Sequence, residues 1–252
     1  MNVNGMRSGV WMGFGLIVGA VSGWLWTRGA RAAVQLPHAN RWEALLVEQF
    51  GAAPAALLVA RMRARYRVLY AERPSFAHKA LNRHLEEVIL PGVAAYETLR
   101  AHAGRDGALA QLDRLLAVNL QASPLVRSLQ MIKRLPPAAR WARPFTLVRR
   151  TIRRVLQNDY PAPGWLVTWL RDDDARMAFT VHRCFYADVL RKYGLPELTA
   201  HFCRAEGRLL AEAPPGARWE RAQTLGEGGK CCDFAWRQAP IENGRTLERT
   251  RN

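Results

Sequence analysis

The chain has 252 residues, of which 49% are hydrophobic, and it carries a formal net charge of +16. This length and apolar content allow one domain with a buried core plus an accessory segment, which argues against an intrinsically disordered chain. The positive charge predicts an anionic neighbour, and a membrane surface, nucleic acid or small acidic metabolites are the candidate classes.

An uncharged apolar segment, Val10–Trp26, follows a short N-terminal tail at residues 1–9. The segment reaches the lower length limit of a membrane-spanning helix, and tryptophans near its two ends favour the membrane interface. We therefore predict a transmembrane anchor at residues 10–27. Glycines at positions 15, 19 and 23 share one helix face, which would permit close approach of a second copy and a homodimer.

A cleaved signal peptide is the alternative interpretation of this segment, because Ala30-Arg31-Ala32 has the small-x-small form of a cleavage site. The apolar run is longer than a usual signal-peptide core, and two arginines precede the cut, so the pattern favours the anchor. More basic residues follow the segment than precede it. The positive-inside tendency then predicts a single-pass membrane protein whose body faces the cytoplasm.

A second basic segment spans residues 114–158, which contain no Asp or Glu. Its part from Phe145 to Val155 alternates arginines with apolar residues in the manner of an amphipathic helix. Such a helix could rest on anionic lipid headgroups, and a solvated basic face is the alternative. We predict no nucleic-acid partner, because no recognised nucleic-acid-binding motif accompanies the charge.

Residues 40–102 predict a helical region, because apolar residues recur there at helical spacing. Pro54, Pro74 and Pro91 divide it into three or more helices, with a kink or boundary at Pro91. Residues 104–107 predict a turn, and another helix begins at Ala108.

From Trp165 onward the pattern changes to alternating residues, which predict strands. One strand precedes an acidic turn at residues 172–174, and a second would place His182 and Cys184 on one face. A following helix places Cys203 and Glu206 on one face, and two further strands form a hairpin around glycines 226–229. We predict an α+β fold in which a small antiparallel sheet with packed helices follows the helical region. The domain spans residues 40–238, and residues 239–252 form a disordered tail.

All four cysteines, Cys184, Cys203, Cys231 and Cys232, lie in the last part of the chain. They could act as nucleophiles, bind zinc or pack as small apolar residues. Their spacing departs from that of a structural zinc site, so we predict no metal and no other cofactor. A disulfide is disfavoured in the reducing cytoplasm. Adjacent residues of a strand face opposite sides, so Cys231 and Cys232 should not both face one pocket.

Three segments of this region, HRCFYADVL, GLPELTAHFCRAEG and TLGEGGKCCDF, and an upstream segment, HLEEVILPGVAAYETL, carry a resemblance to a known family. Across roughly residues 45–236 the chain resembles the L-2-amino-thiazoline-4-carboxylic acid hydrolase family. Glu206 stands where we expect that family to have aspartate. The closing segment is also similar to 4-vinyl reductase domains, which are α+β modules that bind small molecules, so a shared fold does not establish a shared function.

The resemblance implies hydrolytic opening of a 2-aminothiazoline ring, a cyclic amidine, in a small carboxylate substrate to give a carbamoylated cysteine. Such a reaction needs a nucleophile, a proton shuttle and a group that binds the amidinium. Cys184 paired with His182, or Cys232 with Asp233 or Glu206, could fill these roles.

Substrate binding is predicted for a second set of residues. Arg183 or Lys230 could bind the substrate carboxylate, and Cys203 and Thr224 are further candidates. The alternative function is a non-catalytic, membrane-associated module that binds a small molecule or senses it through its thiols. A solvent-accessible cysteine of low pKa would favour the enzyme, and inert buried thiols would favour the module.

Overall fold

A computed structural model describes residues 34–136, 144–212, 214, 216–242 and 245–246. The helices are α1 (Ala39–Phe50), α2 (Ala52–Glu72), α3 (Lys79–His84), α4 (Leu90–Leu120), α5 (Pro124–Lys133), α6 (Pro144–Asp159), α7 (Phe185–Lys192) and α8 (Leu198–Ala211). The strands are β1 (Leu166–Asp172), β2 (Arg176–Arg183), β3 (Ala217–Glu220), β4 (Cys232–Gln238), β5 (Ile241–Glu242) and β6 (Arg245–Thr246). The predicted α+β class, with helices first and a small antiparallel sheet afterwards, is confirmed.

The membrane anchor predicted at residues 10–27 lies outside the described residues. In the part of the chain that the structure does describe, no helix has the length and apolar character needed to cross a bilayer.

Prolines mark the ends of the N-terminal helices, as the sequence predicts. Pro54 lies in the first turn of α2, where a backbone N–H has no intrahelical acceptor, and Pro74 follows the end of that helix. Helix α1 packs through Trp42, which is fully buried and donates its indole N–H to the Leu115 carbonyl at 3.1 Å. This bond fixes α1 against the second half of α4.

A π-helical turn, Leu85–Ile89, connects α3 to α4. Pro91 lies in the first turn of α4, so the helix boundary predicted at this proline is confirmed. The turn predicted at residues 104–107 is confirmed as a single break, because Gly104 adopts φ 72° and helical geometry resumes after it. Such a positive φ is accessible to glycine without steric cost.

The main sheet is antiparallel with strand order β1-β2-β4-β3, and it contains the hairpin that the sequence predicts. Its register places Val181 between Val167 and Cys232, and Phe179 between Trp169 and Phe234. Because side chains two residues apart share a face, Val167, Val181, Cys232 and both phenylalanines lie on one side of the sheet. The rings of Phe179 and Phe234 stack with centroids 5.1 Å apart.

The basic amphipathic segment forms α6, but its apolar residues face the protein interior. Phe145, Val148 and Ile152 are at most 2% exposed. On the polar side, Arg149 and Arg153 form ion pairs with the predicted acidic turn through Asp172 and Asp174, at 3.0–3.7 Å. The apolar face is therefore already packed, and contact of the remaining exposed arginines with lipid stays a prediction.

Residues 239–252 were assigned to a disordered tail from the sequence. The structure describes strands β5 and β6 in this part of the chain, and they pair antiparallel. The N–H of Ala239 also donates to the Gly216 carbonyl at 3.0 Å, which attaches the beginning of the tail next to β3.

Candidate functional site

A largely apolar cavity lies between the main sheet and helices α5 to α8, with an empty volume of about 700 Å³, part of it open to solvent. Apolar walls are formed by Trp165, Val167, Phe179, Val181, Phe202 and Phe234. Strands β1, β2 and β4 contribute alternate side chains to the cavity wall, because every second residue of a strand faces the same side of the sheet. Helix α8 supplies Thr199, Phe202, Cys203 and Glu206, which share one face because a helix has 3.6 residues per turn.

The polar groups of the cavity are few, and most of them come from the region that contains the cysteines. Cys184, Cys203, Cys232, Glu206 and Arg221 line the cavity, together with the aromatic hydroxyls of Tyr160 and Tyr186. The predicted shared face of Cys203 and Glu206 is confirmed. The prediction for the adjacent cysteines is also confirmed, because Cys232 lines the cavity whereas Cys231 is buried outside it.

Cys203 and Cys232 meet because the turn before β4 packs directly on the backbone of α8. A Cβ atom on Gly226 would lie 2.8–2.9 Å from backbone atoms of Thr199 and Ala200, so this approach requires glycine. Leu225 donates its N–H to the sulfur of Cys232 at 3.2 Å. The turn therefore carries the Cys232 side chain to helix α8.

The Cys203 and Cys232 side chains form a hydrogen-bonded thiol pair. The hydrogen bond from Cys232 lowers the pKa of Cys203, although burial opposes this change, and the charge of Arg221 also favours the thiolate. The same hydrogen bond, with burial, raises the pKa of Cys232. Of the two sulfurs, Cys203 is therefore the one that ionises first.

Cys184 is half-buried at the N-cap of α7. Burial raises its pKa to about 12, although the backbone amides of Ala187 and Tyr186 favour the thiolate. Cys184 lines the cavity whereas His182 is not among the described lining residues, so the observed contacts do not support the predicted pairing of these two side chains. His182 is exposed, and its Nε2 lies 2.9 Å from the Thr180 hydroxyl.

Glu206 and Arg221 lie side by side at the cavity wall. The Nη1 of Arg221 is 3.6 Å from the Glu206 carboxylate, and its Nη2 donates to the Cys203 carbonyl at 2.7 Å. Burial raises the pKa of Glu206, whereas the charge of Arg221 opposes this shift. Arg221 is not predicted as a site residue, since nothing in the sequence distinguishes it from the other 36 Lys and Arg residues.

A buried histidine connects the upstream helices to the cavity. Nε2 of His84 lies 3.0 Å from the Asp159 carbonyl oxygen, which can only accept, so Nε2 carries the proton. Nδ1 then accepts a hydrogen bond from the hydroxyl of Tyr186 at 2.9 Å. Burial lowers the pKa of His84 to about 4, so its imidazole is neutral at pH 7. The sequence carries no signal for this contact, because His84 and Tyr186 are 102 residues apart.

The predicted carboxylate Asp233 and a second histidine, His201, are not among the described residues that line the cavity. Asp233 accepts hydrogen bonds from the backbone N–H groups of Ala222 and Gln223 at 2.7–3.1 Å, which ties the segment after β3 to β4. His201, on α8, is 2.7 Å from Asp113 of α4. Both side chains therefore form hydrogen bonds that connect different secondary-structure elements.

The predicted binding residues are also distributed differently from the expectation. Arg183 is exposed and bonds to Asp188 at 2.7 Å, and Lys230 is exposed beyond the glycine turn. Thr224 is buried behind Cys203, and its hydroxyl donates to Glu227 at 2.8 Å. Of the four, Cys203 alone is part of the cavity lining that the structure describes.

The cysteines are free thiols. Among residues 34–136 and the described positions beyond them, no group of three or more His, Cys, Asp or Glu side chains is arranged to hold a metal ion.

Comparison with known proteins gives one match. A family model described as L-2-amino-thiazoline-4-carboxylic acid hydrolase matches residues 82–236, more than half of the chain. The matched region contains all of the residues that line the cavity. No curated protein and no solved structure matches the chain.

Proposed function

Because the chain belongs to the L-2-amino-thiazoline-4-carboxylic acid hydrolase family, we propose that it is a hydrolase that opens a cyclic amidine bearing a carboxylate. The observation that carries this proposal is the meeting of Cys203, Cys232 and Glu206 in one apolar cavity. Together they supply a thiolate, a thiol that donates to it, and a carboxyl whose raised pKa keeps a proton available.

In the first step the Cys203 thiolate attacks the amidine carbon of the protonated ring. A tetrahedral adduct forms, and its ring C–S bond breaks. The departing sulfur keeps the electron pair of that bond and receives the proton of Glu206. Cys203 is then joined through its sulfur to the amidine carbon as an S-alkyl isothiouronium cation, and the former ring sulfur is a free thiol.

In the second step water adds to the same carbon, and Glu206 takes one proton from it. The bond to Cys203 then breaks with its electron pair on the cysteine sulfur, which restores the thiolate. The product is a urea, the carbamoylated cysteine, and the second proton of water is released with the charge of the amidinium. Cys184 is less suited to the attack, because its pKa of about 12 leaves little thiolate at neutral pH.

The test is hydrolysis of 2-aminothiazoline-4-carboxylate by the full chain, followed by mass spectrometry of the product. We expect Cys203→Ser to lower kcat/KM by at least about 100-fold, as loss of a nucleophile does. Cys231→Ser is the matched control, since Cys231 is buried beside the site but outside the cavity. A Cys203→Ser variant that retains the wild-type rate would rule out the covalent route.

Proton donation by Glu206 gives a second test. The pKa of Glu206 is raised, so kcat should fall as pH rises through that pKa and the acid loses its proton. Glu206→Gln should lower kcat and flatten this limb of the pH profile. An unchanged limb in the variant would assign the proton to another group.

A binding module without catalysis is the second candidate function, because Cys203, Cys231 and Cys232 are all buried. The wild-type protein prepared for the hydrolysis assay also distinguishes the binding module from the enzyme. Binding of the substrate to a folded wild-type protein that gives no product would favour the module.

A further inference from the structure

We propose that Arg221 binds the carboxylate of the substrate and that the part of the substrate beyond this carboxylate and the reacting amidine is apolar. This inference rests on the proposed function, and it names the substrate class as small amphipathic carboxylates. It differs from the predictions for Arg183 and Lys230, which are both exposed.

The guanidinium of Arg221 is fixed by contacts on several sides. Its side chain is 8% exposed, and Nη2 donates to the Cys203 carbonyl at 2.7 Å. The central carbon of the guanidinium, Cζ, lies 5.0 Å from the ring centroid of Trp219 and 5.8 Å from that of Phe234. A Cβ atom on Gly207 would lie 2.6 Å from Nη2, so the glycine leaves the space that the guanidinium fills. The group is thus held in place before any ligand arrives.

One end of this guanidinium has no hydrogen-bond partner. Nη1 is buried and unpaired among the described residues, and the nearest carboxylate, Glu206, is 3.6 Å away. A buried charged donor without an acceptor costs free energy, so the cavity favours a ligand that brings one. Among the described residues that line the cavity, Glu206 is the one acidic residue, and burial raises its pKa whereas the charge of Arg221 opposes this shift. A ligand carboxylate would supply the acceptor that Nη1 lacks.

The walls determine what the rest of the ligand can be. Away from Arg221 most of the lining is apolar and includes Val167, Val181 and Phe202, and the hydroxyl of Tyr186 already donates to His84. An aromatic or alkyl body would fill this space, and each buried methylene should tighten binding about fourfold.

Calorimetric titration of the full chain tests this inference without requiring turnover. The probes are acetate, 3-phenylpropionate and the neutral 3-phenylpropanamide. We expect 3-phenylpropionate to bind at least about tenfold more tightly than either of the others. Arg221→Met should reduce its affinity to that of the amide, and Arg221→Lys should restore part of it. Arg218→Met, an exposed arginine on β3, should bind as the wild type does.

If Arg221→Met fails to fold, the affinities of the wild-type protein for 3-phenylpropionate and 3-phenylpropanamide still test the inference. Equal binding of acid and amide would overturn the role of the positive charge, and equal binding of acetate and 3-phenylpropionate would overturn the apolar body. Either result would leave turnover that depends on Cys203 intact. Conversely, selective binding of 3-phenylpropionate by a protein with no hydrolase activity would support this inference and refute the proposed function.

Discussion

Protonation of His84 should make the stability of the protein depend on pH in a calculable way. The imidazole is 1% exposed and is surrounded by the rings of Tyr160, Trp165 and Tyr186. Its Nδ1 accepts a hydrogen bond from the Tyr186 hydroxyl, and protonation of Nδ1 would remove this acceptor. The folded protein therefore favours the neutral form of His84, whereas in the unfolded chain the side chain can take up a proton.

The magnitude follows from the two pKa values, 6.5 for the unfolded chain and about 4 for the folded protein. Above pH 6.5 both states hold neutral His84, and its contribution to the free energy of unfolding is fully present. Between pH 6.5 and 4 the unfolded state binds more protons, so stability is lost as pH falls. Relative to pH 7, the loss is about 1.2 kcal/mol at pH 5.5 and about 2.4 kcal/mol at pH 4.5.

Urea unfolding followed by tryptophan fluorescence at pH 7.0, 5.5 and 4.5 measures this loss. Other groups titrate over the same range, so the informative quantity is the wild-type free energy of unfolding minus that of His84→Gln. This difference should shrink by the amounts given above as pH falls. His78→Gln, at an exposed histidine, is the matched control and should show no such change. A wild-type minus His84→Gln difference that is constant across the three pH values would refute the reasoning.

Two further predictions concern contacts that hold the cavity together. Gly226→Ala would push a Cβ to within 2.9 Å of the Thr199 backbone, so we expect a loss of about 1–3 kcal/mol in urea unfolding and a lower kcat/KM. Full activity in that variant would contradict a fixed position for the turn. Asp172→Asn removes the ion pairs with Arg149 and Arg153, and it should cost about 1 kcal/mol in low salt and less in 1 M NaCl. A cost that salt does not change would show that these pairs do not act through charge.

The sequence was sufficient for the sheet and for the cavity face of α8. Alternation predicted the strands because one side of the sheet is buried against helices, so apolar residues must recur every second position. Helical spacing placed Cys203 and Glu206 together because that relation depends only on the geometry of one helix. The same local logic correctly separated Cys231 from Cys232.

Local logic failed where the backbone changes direction. The alternation through His182 and Cys184 looks like a continuing strand, but β2 ends at Arg183 and Cys184 is the N-cap of α7. Cys184 lines the cavity, whereas His182 is exposed and contacts Thr180. Asp233 follows a cavity cysteine directly, yet its position in the strand turns it to the backbone of Ala222. Strand alternation, which separates Cys231 from Cys232, also implies that Asp233 faces away from Cys232.

Arg221 is the site residue that most needed the folded structure, because its position depends on a helix carbonyl, a glycine gap and two aromatic rings from different segments. Its placement also explains how a zwitterionic substrate would suit this cavity. In an apolar site, charges interact more strongly than in water. A carboxylate on Arg221 alone would weaken the support that this arginine gives to the Cys203 thiolate. A substrate that also brings an amidinium replaces that support with its own positive charge, next to the carbon to be attacked. On this proposal, a simple carboxylate binds but does not activate the thiol, whereas the substrate both binds and activates it.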